Sequence, residues 1–138
     1  MISHMNLADL SQLIPLAQIL YKEIYQQEIN PILFHNYWAQ VIKEKVGGIL
    51  VYHDHEEIKG FMGYTYQTNM FTSEQEVCVV FVYVFPSARG TGILGEFLQA
   101  VEGLGVRVEI SLSDPTLRRA MEKYGYQVEN TLYGKDTR

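Results

Sequence analysis

Residues 77–103 read VCVVFVYVFPSARGTGILGEFLQAVEG, and this stretch carries most of the information about the fold. Its first part, Val77 to Phe85, is apolar at every position, which is typical of a central strand covered on both faces. A turn containing two glycines follows at residues 86–92, and apolar side chains then recur at helical spacing from Ile93 to Val101. The stretch therefore predicts a strand, a tight turn and a helix that closes at Gly103.

The residues upstream predict a short strand, two helices and a hairpin. The predicted elements are a strand at Ile2–Met5, a helix after Asn6, a helix from Asn30-Pro31, and paired strands at Ile49–His53 and Ile58–Tyr66. Pro15 leaves the start of the first helix open, because it either kinks the helix or lies in its first turn. The second helix is expected to end at Gly47-Gly48.

The residues downstream complete an α/β pattern. Strict alternation predicts a strand at Val106–Leu112, and Asp114-Pro115 predicts the start of a last helix that ends near Gly125. The tail, residues 126–136, can form one or two terminal strands. The predicted order is β-α-α-β-β-β-α-β-α-β, an α/β fold with a mixed sheet, and residues 1–138 are expected to form a single domain.

Composition excludes several classes of protein. The chain has 138 residues, of which 47% are hydrophobic and 12% aromatic, so a disordered chain is not expected. The net charge of −5 gives no basic surplus for nucleic acid, and the longest apolar run is far below the roughly 20 residues that span a membrane. The first lysine is Lys22, so the N-terminus does not look like a secretory signal. We therefore expect a cytoplasmic location. The single cysteine, Cys78, excludes a disulfide framework and a multi-cysteine zinc site, and no metal is expected.

A possible anion site lies where the turn enters the helix. The amides of a helix N-terminus are free to bind an anion, and the helix dipole adds about half a positive charge. Gly90 and Gly92 carry no Cβ atoms that would keep a phosphate away, and Arg89 can add a charge-assisted hydrogen bond. The alternative is an ordinary tight turn with an exposed arginine, since short glycine motifs are weak signals.

Three segments resemble the GNAT superfamily of N-acetyltransferases. Residues 82–93, VYVFPSARGTGI, resemble its acetyl-CoA signature, Arg/Gln-x-x-Gly-x-Gly/Ala, through Arg89 and Gly92. Residues 58–64, IKGFMGY, resemble the preceding strand of the family, and residues 120–128, AMEKYGYQV, resemble its C-terminal Tyr-Glu-Lys-x-Gly-Phe segment. The predicted order of elements also matches the GNAT fold from end to end.

The resemblance implies transfer of an acetyl group from acetyl-CoA to a primary amine, by direct attack in a ternary complex. It implies that the central strand and the next one splay apart, that pantetheine lies along the exposed edge, and that the Val84 amide stabilises the oxyanion. The residues implied in coenzyme binding are Val82, Val84, Arg89, Gly90, Thr91, Gly92, Ile93, Leu94 and Gly95.

Two positions depart from the family pattern. Leu94 stands where the family has Gly or Ala, so it either crowds the pyrophosphate or shifts the turn by one residue. Met121 stands at the place of the frequent general acid, a tyrosine. Tyr124 lies three residues later, on the same helix face, and is either a substitute acid or a core or rim aromatic.

The base that deprotonates the amine has two candidates. Glu76 lies at the start of the central strand, on the same face as Cys78, which stands near the place of the family's basic glutamate. Glu76 is either that base or a solvated carboxylate at a strand end, and Glu109 is a second candidate. Cys78 itself, flanked by valines, is expected to be a buried and inert thiol.

The departures leave a second functional hypothesis open. A catalytically degenerate GNAT-like domain would serve as a CoA-binding or protein-interaction module. Under either hypothesis the amine acceptor is not identified, and it can be a small metabolite, a peptide N-terminus or a protein lysine. A homodimer is compatible with the many apolar residues.

Overall fold

The structure is a computed structural model that describes residues 1–110, 115–129 and 134–137. Its elements are β1 (Ile2–His4), α1 (Leu10–Tyr25), α2 (Pro31–Glu44), β2 (Gly47–Asp54), β3 (Glu57–Thr68), β4 (Gln75–Val84), α3 (Ile93–Glu102), β5 (Val108–Ile110) and α4 (Pro115–Lys123). Single 3-10 turns precede α1 and follow β4. The α/β class and the predicted order through α4 are confirmed.

One mixed sheet organises the chain, with its strands in the order β1-β2-β3-β4-β5. The pairs β1–β2, β2–β3 and β3–β4 are antiparallel, and the pair β4–β5 is parallel. β4 thus lies between β3 and β5, as expected for the apolar stretch that precedes the turn.

Two hydrophobic clusters flank the sheet. The cluster that contains α3 includes Phe97, Leu98 and Val101, all fully buried. The cluster that contains α1 and α2 includes Leu10, Leu13, Trp38, Val41 and Phe61. Burial of these side chains supplies most of the driving force that holds the helices on the sheet.

Asparagine side chains start the first two helical segments, as predicted. The Asn6 side chain accepts a hydrogen bond from the Asp9 amide at 3.1 Å, and the Asn30 side chain accepts from the amides of Ile32 and Leu33. Pro15 lies inside α1, beyond its first turn. A place in the first turn, the second possibility for Pro15, is therefore wrong, and the helix continues past the proline.

The predicted end of α2 is wrong. The helix ends at Glu44, where Lys45 takes the left-handed conformation and donates its amide to the carbonyls of Val41 and Ile42. Gly47 and Gly48 are instead the first residues of β2. Gly47 is needed there for close approach, because a Cβ atom would lie closer than 3.0 Å to the Tyr64 carbonyl oxygen of β3.

The C-terminal predictions are confirmed in part. β5 covers only Val108–Ile110 of the predicted strand, and Ser111, Leu112 and Asp114 lie outside the described residues. α4 ends at Lys123, close to Gly125. The described residues of the tail, 126–129 and 134–137, form no strand, and residues 130–133 are not described.

Candidate active site

A bulge interrupts β4 at Val80. Gly63 of β3 pairs with Phe81, but the next residue of β3, Tyr64, pairs with Val79, so Val80 has no partner on β3. The extra residue exchanges the two faces of the strand, because side chains alternate with a period of two. Val80 is 46% exposed, so the prediction that both faces of this strand are fully covered is wrong at Val80.

The edge of β4 that faces β5 is paired over a short length. Val77–Val79 pair with Val108–Ile110, and within the described parts of the chain no strand pairs with this edge from Val80 to Val84. Backbone amides and carbonyls on such an edge can bind an extended ligand as a further strand would. Val82 and Val84, predicted to contact pantetheine, lie on this stretch.

The β4–α3 turn, residues 85–92, owes its shape to two glycines. Gly90 and Gly92 have φ angles of +82° and +88°, which L side chains rarely adopt. A Cβ atom at either position would meet nothing within 4 Å. The glycines are therefore required by backbone conformation, and the space beside them is open to a ligand. The Thr91 hydroxyl closes the turn by donating to the Ala88 carbonyl oxygen.

Six consecutive amides, those of residues 90–95, are available as hydrogen-bond donors at the end of this turn. The first helical bond of α3 runs from the Glu96 amide to the Gly92 carbonyl oxygen, at 3.2 Å. In the parts of the chain that the structure describes, no backbone acceptor meets the amides of residues 90–95. Together with the α3 dipole, these donors form an electropositive site. The carboxylate of Glu96 is exposed to solvent, which screens its opposing charge.

Arg89 points away from these amides. Its Nε donates to the Val84 carbonyl oxygen at 2.9 Å, and one terminal nitrogen lies 3.1 Å from the Glu23 carboxylate of α1. The guanidinium also lies over the Tyr83 ring, 5.4 Å from its centroid. The side chain predicted to bind a phosphate is thus bonded to the end of β4 and to α1.

Gly95 and Tyr124 bring α4 against the first turn of α3. A Cβ atom at Gly95 would lie 2.8 to 2.9 Å from three atoms of the Tyr124 ring and hydroxyl, so only glycine allows this contact. Leu94 is half-buried and packs against the α3 cluster. Tyr124 is 37% exposed, as a rim aromatic would be, whereas Met121 is buried in the core. The Tyr124 hydroxyl therefore lies beside the anion site.

Glu76 is buried and held by donors. Gln67 Nε2 and Asn69 Nδ2 donate to its two carboxylate oxygens at 3.4 and 3.3 Å, and Arg107 Nε is 4.0 Å away. At a strand rise of about 3.3 Å per residue, Glu76 lies roughly 20 Å along β4 from Val82. These contacts favour a role in fixing the β3–β4 connection over direct contact with a group bound at Val82.

Cys78 lies on the same face as Glu76, as predicted, and it faces Glu109. Its Sγ is 3.5 Å from Gln67 Oε1 and 3.9 Å from Glu109 Oε2. Burial raises the pKa of the Cys78 thiol, and the negative charges of Glu109 and Glu76 raise it further. The thiol is half-buried rather than buried, and it is held protonated at neutral pH.

This environment predicts slow alkylation of Cys78. At pH 8 the fraction of thiolate is smaller than in a free cysteine, because a raised pKa leaves more of the sulfur protonated. We expect the pH dependence of the iodoacetamide rate to have a midpoint above that of a free thiol. Glu109→Gln removes one negative charge and is expected to lower this midpoint. A wild-type midpoint equal to that of a free thiol would contradict the prediction, whereas restricted access would change only the plateau rate.

The described residues contain neither a metal-ligand cluster nor a membrane-spanning helix. In residues 1–110, 115–129 and 134–137, no group of three or more His, Cys, Asp or Glu side chains is arranged to hold a metal ion. None of the helices described is long and apolar enough to cross a membrane.

Solved structures of acetyltransferases share this fold. A possible acetyltransferase from Clostridium difficile 630 superposes with a TM-score of 0.80 at 16% identity, over 99% of this chain and 97% of that one. A predicted acetyltransferase with acetyl-CoA from Clostridium acetobutylicum gives 0.80 at 14% identity, over 99% and 95%. The ribosomal-protein-alanine N-acetyltransferase from Brucella melitensis biovar Abortus 2308 gives 0.78 at 14% identity, over 99% and 98%. This chain has the GNAT fold.

The likeness to GNAT structures lies in the fold and not in close sequence relationship. No protein-family model matches the sequence, and the comparison with curated proteins found no match. The GNAT neighbours nevertheless match almost end to end, so the β4 edge, the β4–α3 turn and α3 all lie within the shared fold.

Sequence reasoning missed Glu23, which contacts two residues beside the candidate site. The carboxylate of this α1 residue accepts a hydrogen bond from the Tyr83 hydroxyl and pairs with Arg89. Glu23 lies outside the three segments that carry the resemblance, so they give no sign of a carboxylate partner for Arg89. The contacts of Glu23 depend on how α1 packs on the sheet, and no local pattern in the sequence predicts them.

Proposed function

We propose that this protein is an acetyl-CoA-dependent N-acetyltransferase that transfers an acetyl group to a primary amine within a ternary complex. One observation carries the proposal: the six amides of residues 90–95 have no described backbone acceptor, and they follow a stretch of β4, Val80 to Val84, whose second edge pairs with no strand among the described residues. A neighbouring structure described as an acetyltransferase with acetyl-CoA supports the choice of coenzyme.

The residues proposed to bind acetyl-CoA divide into two groups. Backbone groups of Val82 and Val84 would hold the pantetheine arm along β4, and the amides at the start of α3 would hold the diphosphate. The second group consists of Arg89, Gly90, Thr91, Gly92, Ile93, Leu94 and Gly95. Arg89 belongs to this group through its place in the turn, since its side chain is bonded to β4 and α1.

The proposed chemistry is aminolysis of a thioester, for which acetyl-CoA supplies the activated acetyl group. The amine nitrogen forms the new bond to the acetyl carbon, the bond to sulfur breaks, and the sulfur leaves as a thiol once it takes up a proton. The Val84 amide is proposed to stabilise the oxyanion. Positioning of the reactants can supply most of the rate gain, so a strong side-chain acid is not essential.

Proton transfer is proposed to use carboxylates on the face that carries Cys78. Glu76 can accept the amine proton only through intervening water, because it is buried and distant from Val82 along the strand. Glu109 is more exposed than Glu76, and Gln67 donates a hydrogen bond to each of these two carboxylates. Tyr124 can return a proton to the thiolate, although its contact with Gly95 also suits a role in binding the diphosphate.

The remaining parts of the proposal concern surroundings rather than chemistry. Residues 1–138 are proposed to act as one acetyltransferase domain, without a metal, a nucleic acid or a membrane. A cytoplasmic location is proposed because a lone free cysteine is not the pattern of a disulfide-stabilised secreted domain. A homodimer is proposed because large apolar side chains of α2, Ile32, Leu33 and Tyr37, are exposed.

A second candidate is a degenerate GNAT-like domain that binds CoA, or a protein partner, without turnover. The burial of Met121 in the core favours it, because the residue at the position of the usual acid can neither reach nor protonate a thiolate. Leu94 also favours the degenerate domain, because it is half-buried and stands where the family pattern has glycine or alanine.

Ligand binding and turnover separate the two candidates. At a ligand concentration 100 times its dissociation constant, acetyl-CoA is expected to stabilise the fold by about 2.7 kcal/mol, which a thermal-shift titration detects. A thiol reporter then follows CoA release with a panel of primary amines, with each amine omitted in turn as the control. Stabilisation with thiol release supports the enzyme, stabilisation without release supports the degenerate domain, and no stabilisation at millimolar ligand contradicts both.

A further inference from the structure

Glu23 joins α1 to the β4–α3 turn. Its Oε1 lies 3.1 Å from a terminal nitrogen of Arg89, and its Oε2 accepts a hydrogen bond from the Tyr83 hydroxyl. Side chains of the ion pair are each about half exposed, at 50% for Arg89 and 42% for Glu23. The carboxylate of α1 therefore bridges the strand before the turn and the arginine within it.

Arg89 closes the base of the turn. Its Nε donates to the carbonyl oxygen of Val84, the last residue of β4, and its guanidinium stacks over the Tyr83 ring. These contacts span the turn from Arg89 back to the strand, so they restrict where residues 90–92 can lie. The Glu23 carboxylate therefore balances the charge of Arg89 within the protein.

We propose that Glu23 is a positioning residue for the coenzyme: by holding Arg89 against the end of β4, it fixes the amides of residues 90–95 in the orientation that binds a diphosphate. This inference rests on the proposed function. It assigns to Arg89 a role inside the protein, in place of direct contact with the phosphates.

The direction of the change in CoA affinity distinguishes positioning from a simple charge effect. Removing a carboxylate near an anion site lowers local negative charge and should by itself strengthen anion binding. If Glu23 acts by positioning, its removal weakens binding instead, because Arg89 loses an anchor and the turn loses its fixed shape. A weakened affinity in a variant that has lost a negative charge is therefore the signature of positioning.

The test is a set of CoA dissociation constants, measured by calorimetry on the full chain. Glu23→Ala is expected to weaken CoA binding by about fivefold, the upper range for a partly exposed ion pair. When Glu23→Ala is combined with Arg89→Ala, we expect no further loss of CoA affinity, because the two substitutions remove the same contact. Glu23→Gln is expected to restore much of the affinity, since its amide oxygen can still accept from Arg89. In turnover, Glu23→Ala should raise the KM for acetyl-CoA with kcat unchanged.

Glu44→Ala is the matched control, since it removes a carboxylate of the neighbouring helix α2 whose described hydrogen bond is with Gln40. It is expected to leave the affinity unchanged. The inference is overturned if Glu23→Ala leaves CoA binding unchanged or strengthens it, if its effect persists in Arg89→Ala, or if Glu44→Ala weakens binding equally. Those results leave the proposed function standing, whereas a wild-type chain that does not bind CoA overturns both.

Discussion

Replacing Gly47 with alanine is expected to lower the free energy of unfolding by about 3 kcal/mol, the high end for inserting one carbon into a packed region. The new Cβ atom would lie closer than 3.0 Å to the Tyr64 carbonyl oxygen and 2.8 Å from the Thr65 Cα, both in the backbone of β3. The Val41 side chain of α2 lies 2.9 Å away on another side. Because two of the three neighbours are backbone atoms, relief requires a shift of β2 against β3. Urea denaturation measures the change.

Gly48→Ala is the matched control, one residue along the same strand. Its Cβ atom would first meet the end of the Tyr64 side chain, with the hydroxyl oxygen at 3.0 Å. That ring can move by a few tenths of an ångström, although it gives up part of its hydrogen bond with His4. We expect a loss of about 1 kcal/mol at most. Equal losses in the two variants would show that backbone contact with β3 is not the cause.

The same glycine pair shows where local sequence patterns mislead. Glycine after a helical stretch is a common helix stop, and Gly47-Gly48 therefore predicts the end of α2. In the structure a non-glycine residue, Lys45, takes the left-handed position, and the glycines serve contact between β2 and β3. A Gly-Gly pair that ends a helix and one that allows two strands to approach closely look identical in the sequence. Only the strand that packs against the pair distinguishes the two cases.

Helix starts could be predicted well because they depend on neighbouring residues. The caps at Asn6 and Asn30 act on amides two or three residues away, so the sequence contains both partners. The hairpin β2–β3 is similar, since its turn lies between its own two strands. Each of these features is set within a few residues, which is the range that periodicity and capping rules cover.

The bulge at Val80 could not be predicted, because its cause lies across the sheet. A Cβ atom at Gly63 would lie close to the rings of Phe81 and Trp38, so the glycine of β3 makes room for aromatic packing beside the bulge. These partners come from β3, β4 and α2. An apolar run gives no indication of which residue is left unpaired, and the exchange of faces along β4 follows from that one residue.

The candidate site divides in the same way. The glycine turn and the free amides of α3 could be predicted, because a strand, two glycines and a helix start are adjacent in the chain. The direction of Arg89 could not, because Glu23 lies 66 residues away in sequence. An exposed arginine in a glycine turn suggests a phosphate contact until its carboxylate partner is known.

Gly92→Ala is expected to weaken CoA binding by at least about tenfold and to lower the free energy of unfolding by about 1–2 kcal/mol. The stability term is the cost of a left-handed backbone for an L residue, since Gly92 has a φ of +88°. Affinity is lost because Gly92 is the N-cap of α3, and relief of its strain rotates several amides away from a bound anion. Misplacing even one hydrogen bond to a charged group costs about 1.5–3 kcal/mol, which is tenfold or more.

Gly103→Ala at the other end of α3 separates these effects from a general intolerance of alanine in this helix. Gly103 has a φ of −80°, and a Cβ atom there would meet only the Ala100 carbonyl oxygen at 3.6 Å, an ordinary contact. The substitution is expected to leave CoA affinity unchanged and to cost no stability, because it also reduces the freedom of the unfolded chain. Calorimetry with CoA and urea denaturation measure both variants. If Gly92→Ala loses stability but binds CoA normally, the amides at the start of α3 do not hold the diphosphate, and the coenzyme lies elsewhere along β4.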